Sequence, residues 1–86
     1  MLQEATELIG RQCYTESGIY LGSVSNVVID VNEAKINGLY VADTNPLLVD
    51  SSRAVLFPYR WIRSVGDIIL LKYFPKKISS REKQAN

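Results

Sequence analysis

Phe57-Pro58-Tyr59-Arg60-Trp61-Ile62-Arg63-Ser64-Val65-Gly66-Asp67-Ile68-Ile69-Leu70-Leu71 is the stretch on which the fold of this 86-residue chain turns. Pro58 has no amide proton to give a sheet, so it stops the strand Ala54–Phe57 before it. Tyr59-Arg60-Trp61-Ile62 is too short for a stable α-helix, and its length predicts one 3-10 turn. Arg63-Ser64-Val65 leads into a turn at Gly66-Asp67. Ile68–Tyr73 then reads as a last strand, apolar at consecutive positions, a pattern that predicts cover on both faces. Trp61 offers the largest apolar side chain, and with Ile62 it is suited to plug the end of a small barrel.

Upstream, the text is strands parted by turn signals. Residues 2–9 form a lead-in, with Leu8 and Ile9 as expected anchors, and Gly10 ends it. Arg11–Thr15 reads as a first strand, and Glu16-Ser17-Gly18 as a tight turn in which Gly18 suits a positive φ. Ile19–Asp30 reads as one long strand with imperfect alternation. Leu21, Val27 and Ile29 share one parity, and Val24 and Val28 the other. A bulge between Gly22 and Asn26 would bring both sets to the core and let the strand serve two sheets. After a turn at Asn32-Glu33-Ala34, Lys35–Ala42 forms a third strand. There Ile36 and Tyr40 share one face, Leu39 and Val41 the other, and Gly38 marks a bend. Asp43–Pro46 is a loop, and Leu47-Leu48-Val49 an edge strand or flap. The sum is an all-β fold, a small barrel of about five or six short strands with a 3-10 turn near Tyr59–Ile62.

Composition narrows the chemistry. The chain holds ten Lys and Arg, nine Asp and Glu, no His and one Cys. Without His there is no His-based triad and no His-containing metal site. One Cys forms no intrachain disulfide and no thiolate zinc cluster, and a lone thiol fits a reducing cytoplasm. Cys13, in the first strand, reads as a small core hydrophobe. No apolar run approaches the ~20 residues that span a bilayer. The first seven residues carry acids where a secretory signal would carry bases, which speaks against one. The near-neutral total hides an asymmetry. Residues 76–86 carry four bases and one acid, while residues 1–75 carry six bases and eight acids. This divides the chain into a lead-in (1–7), a barrel (8–75) and a basic tail (76–86) expected to be disordered when alone.

The motifs carry a resemblance. Leu8-Ile9-Gly10, then Gly18-x-x-Leu21-Gly22-x-Val24 and Val28-x-Asp30, resemble the first half of the PRC-barrel family. Phe57-Pro58-Tyr59-x-Trp61-Ile62-x-x-Val65-Gly66-Asp67-Ile68-Ile69 resembles its closing half and is the more specific. Asn26 stands where many relatives have an Asp. The resemblance covers about residues 8–73. It implies a small β-barrel whose signature residues Gly18, Leu21, Gly22, Val24, Asp30, Pro58, Trp61, Ile62, Gly66 and Asp67 are structural. Without a transmembrane helix or an added RNA-binding domain, the chain looks like the stand-alone archaeal members. These include cell-division proteins that associate with SepF, the membrane anchor of the tubulin-like FtsZ ring, and with one another. The implied role is a non-enzymatic adaptor, in the cytoplasm at mid-cell, that binds SepF or a second PRC-barrel protein. A ribosome-associated maturation role is the alternative the family offers.

The residues themselves point to no reaction and no cofactor. Asp30 and Asp67 lie at strand ends, where Asp caps backbone amides. Asp43 and Asp50 match no calcium-loop spacing. Arg53, Arg60 and Arg63 with Tyr59 and Trp61 suggest a nucleic-acid strip, but the barrel is net acidic. Lys76, Lys77, Arg81 and Lys83 have only Ile78 as an apolar anchor for a membrane. Association is better supported. Leu47, Leu48, Tyr59, Tyr73 and Phe74 are candidate interface residues, and a homodimer is the default assembly.

Overall fold

The computed structural model describes residues 5–75. Seven strands run in chain order: β1 (Gln12–Tyr14), β2 (Tyr20–Ser23), β3 (Asn26–Asp30), β4 (Lys35–Val41), β5 (Val55–Pro58), β6 (Ile62–Val65) and β7 (Ile68–Leu71). They form a four-stranded sheet, β2-β1-β7-β6, and a three-stranded sheet, β3-β4-β5. Short 3-10 turns occupy Asp50–Ser52 and Tyr59–Trp61. All pairs are antiparallel except β1 with β7, where Gln12, Cys13 and Tyr14 run parallel to Ile68, Ile69 and Leu70. The fold is the all-β small barrel expected. Among the described residues, no helix is long and apolar enough to cross a membrane.

The count is seven, against an expected five or six, for two local reasons. Ile19–Asp30 is not one strand. The Val24 amide donates to the Arg11 carbonyl of one sheet, and the next amide, Ser25, donates to Tyr40 of the other. The chain changes sheets across a single peptide. Leu21 and Val24 both reach the core, Val27 packs against it, and Val28 faces outward. The second addition is β6, whose Arg63, Ser64 and Val65 are all exposed. An edge strand facing solvent carries no hydrophobic alternation by which to recognise it.

Register shifts occur at Leu21 in β2, at Arg63 in β6 and, with the largest effect on the pattern, in β4. Val28 opposes Gly38 while Ile29 opposes Ile36, so Asn37 is an extra residue. It reverses the parity of β4, and Ile36 packs against the core with Leu39 and Val41 while Tyr40 faces outward. Ile36 and Tyr40 therefore do not share a face. β7 also departs from its reading. Ile69 and Leu71 are fully buried, but Ile68 is 41% exposed and Leu70 half-buried, so the barrel covers one face only. Leu47-Leu48-Val49 forms no strand. Leu48 and Val49 turn into the core and Leu47 stands out. At the start of the described chain Ala5 and Leu8 are buried, whereas Ile9 is exposed. The basic tail assigned to 76–86 lies outside the described residues.

Candidate protein-interaction site

One end of the barrel is closed by four aromatic rings. β5 carries Phe57, fully buried, into the core, and Pro58 ends that strand. The following 3-10 turn brings Trp61 back alongside Phe57, the rings nearly parallel with centroids 6.1 Å apart. The Lys72 amide donates to the Trp61 carbonyl at 2.8 Å and holds the end of β7 against that turn. Tyr73 and Phe74 thereby meet Trp61 edge-on, at centroid distances of 5.0 and 6.0 Å. These offset and edge-to-face arrangements are the favoured ones for aromatic pairs. Trp61 is half-buried at the centre of the four rings.

Beside this cluster lies an open cleft of about 480 Å³. The 15–19 turn forms one wall, residues 72–75 the other, and Leu48 reaches it from the core. The turn is stiff. Gly18 adopts φ +90° and donates its amide to the Thr15 carbonyl. The buried Thr15 hydroxyl accepts from the Ile19 amide at 3.1 Å and shares a hydrogen bond with the Ser17 hydroxyl. Glu16, at the rim, pairs with Arg63 at 2.7 Å, both side chains more than half exposed. Tyr73 is 54% exposed although its ring touches Trp61, which makes it the most accessible large hydrophobic residue of the cleft. A cleft of exposed aromatic and aliphatic surface with a polar rim suits a segment of another chain.

Of the interface candidates, Leu48, Tyr73 and Phe74 converge on this cleft. Leu47, 73% exposed, does not line it, and Tyr59 packs half-buried against the core. Thr15, Glu16 and Ile19 are additional cleft residues. Their nearness to 72–75 follows from the parallel β1–β7 pair, for which the sequence carries no local signal. The signature residues are dispersed through the fold. Leu21 and Val24 are core. Ile62 opens β6, half-buried, and Gly66 and Asp67 turn the chain between β6 and β7. Asp30 accepts the amides of Asn32 and Glu33 at 3.0 and 3.2 Å. Gly22, at φ +153°, lies where any Cβ would come within 2.6 Å of the Asp43 carbonyl oxygen and a Val41 methyl. Arg63 pairs with Glu16 at the surface, and Trp61 packs against Phe57, Tyr73 and Phe74. Burial raises the Cys13 thiol from 9.0 to about 11 and keeps it protonated at neutral pH.

A four-stranded sheet with the first and last strands parallel at its centre, a three-stranded sheet packed with it, and an aromatic cluster with a cleft beside it define a small β-barrel interaction module. The family model for the PRC-barrel domain matches residues 3–78, and the chain belongs to the PRC-barrel family. No curated protein matches the sequence.

Proposed function

We propose that this protein is a non-enzymatic adaptor of archaeal cell division. It acts in the cytoplasm, associates as a homodimer, and binds SepF or a second PRC-barrel protein at the FtsZ ring. The observation that carries the adaptor role is the cleft in which Tyr73 lies exposed against a packed aromatic cluster. Exposed aromatics backed by rigid neighbours are the usual energetic anchors of an interface. The division setting comes from the resemblance to stand-alone archaeal members. Tyr73 is a better probe than Phe74, because Phe74 also packs against the core.

The test is a titration of the full chain against SepF from the same organism, followed by light scattering of each alone and mixed. The expected result is saturable binding, at about micromolar affinity or tighter, that weakens at least tenfold in Tyr73→Ala. Absence of binding to both SepF and PRC-barrel paralogues would sink the division reading. Co-sedimentation with small ribosomal subunits would replace it with the ribosomal one, and RNA affinity falling steeply with salt would replace it with nucleic-acid binding.

A further inference from the structure

Among the described residues, two charged side chains line the cleft, Glu16 and Lys72. Glu16 is taken up by Arg63 at 2.7 Å. Lys72 is exposed, and among the described residues no carboxylate lies within ion-pairing distance of its ammonium. The cleft therefore presents one uncompensated positive charge beside the apolar surface of Ile19, Leu48 and Phe74. That sign runs against the barrel, since residues 1–75 carry six bases and eight acids. It continues in the sequence that follows the cleft wall at Pro75, where residues 76–86 carry four bases and one acid. The backbone of that wall is open as well. The Lys72 amide is bonded to the Trp61 carbonyl, but among the described residues the amides of Tyr73 and Phe74 donate to no acceptor. Pro75 disfavours helical backbone at Phe74 and leaves it disposed to pair as an extended strand does.

We infer that the cleft takes an acidic, extended peptide segment of its partner, with an apolar side chain against Leu48 and Phe74 and a carboxylate on Lys72. This rests on the cleft as the partner site in the reading above and names the chemistry of what enters it. Charge decides the sign of the segment. A basic one would meet Lys72 as a like charge and would compete with Arg63 for Glu16. An acidic one meets a free ammonium and breaks no existing pair. The Tyr73 and Phe74 amides are donors for the carbonyls of the segment. Backbone pairing of that kind gives affinity to any extended chain, and the side-chain contacts choose among them. An ion pair at an exposed rim adds little energy by itself. What it changes is the choice of partner and the dependence on salt.

The test is fluorescence anisotropy of a short labelled peptide, a central leucine flanked by aspartates and glutamates, titrated with the full chain. The same peptide with lysines in place of the acids is run beside it. The acidic peptide is expected to bind saturably, at least tenfold tighter than its lysine counterpart, and to be released as salt is raised. Lys72→Glu is expected to abolish the preference, and Arg60→Glu, which alters an exposed base outside the cleft, to preserve it. If Lys72→Glu does not fold, Lys72→Gln serves instead. In the isotope-labelled wild type, the amide resonances of Tyr73 and Phe74 are expected to move as the acidic peptide is added. Resonances that stay put overturn the backbone pairing. Equal binding of the two peptides, binding of neither, or a preference that survives in a folded Lys72 variant overturns the acidic chemistry. These outcomes leave the adaptor reading standing, because Tyr73→Ala against the protein partner tests it separately.

Discussion

Gly22 and Gly18 look alike in the sequence and differ in what they prevent. Both have positive φ, but nothing stands within 4 Å of a Cβ at Gly18, whereas at Gly22 one would strike the Asp43 carbonyl and Val41. Gly18→Ala is expected to cost about 1 kcal/mol, the backbone term alone. Gly22→Ala adds a steric term where the two sheets meet and is expected to cost about 3 kcal/mol. Urea unfolding of the two variants checks the ranking. Cys13 gives the other residue-level expectation. Its thiol titrates at 9.0 in the open chain and at about 11 when buried. Below pH 9 both states are protonated, and the group adds no pH dependence. Between pH 9 and about 11 the unfolded chain releases the proton first, so stability falls as pH rises. That part of the slope should vanish in Cys13→Ala, and a thiol reagent at pH 8 should label the wild type only after denaturant is added.

At the scale of elements, the turn Tyr59–Trp61 links β5 and β6 in different sheets and sets the plug. Trp61→Ala removes the ring that Phe57, Tyr73 and Phe74 pack against. Because Trp61 is half-buried, the expected loss is about 2–3 kcal/mol, and about 1 kcal/mol for Trp61→Phe, read by circular dichroism during denaturation. This turn was legible in the sequence, because Pro58 and a four-residue gap allow little else. So were the turn at Gly18 and the apolar last strand. What escaped has a common cause. The sheet change at Val24-Ser25 and the bulge at Asn37 are single-residue events set by which strand lies alongside, and alternation reports only a strand's own parity. β6 escaped because an exposed edge strand has no apolar face. The same limit holds for the cleft. Tyr73 and Phe74 were identifiable as aromatics at the end of the last strand, but their facing wall, 15–19, is brought there by a pairing between distant strands.

At the scale of the molecule, the cleft draws its two walls from opposite ends of the described chain, the 15–19 turn and residues 72–75. The parallel β1–β7 pair has a further consequence, for how the protein comes into being. Cys13 sits between Gly22 on one side and Ile69 on the other, so one of the first strands made waits for the last. Until residue 71 has left the ribosome, β1 lacks a neighbour and the core lacks Ile69 and Leu71. Contacts that span most of a chain are slow to form. A chain cut short before β7 would leave Leu21, Leu39 and Phe57 without Ile69 and Leu71 to pack on, and open to proteases.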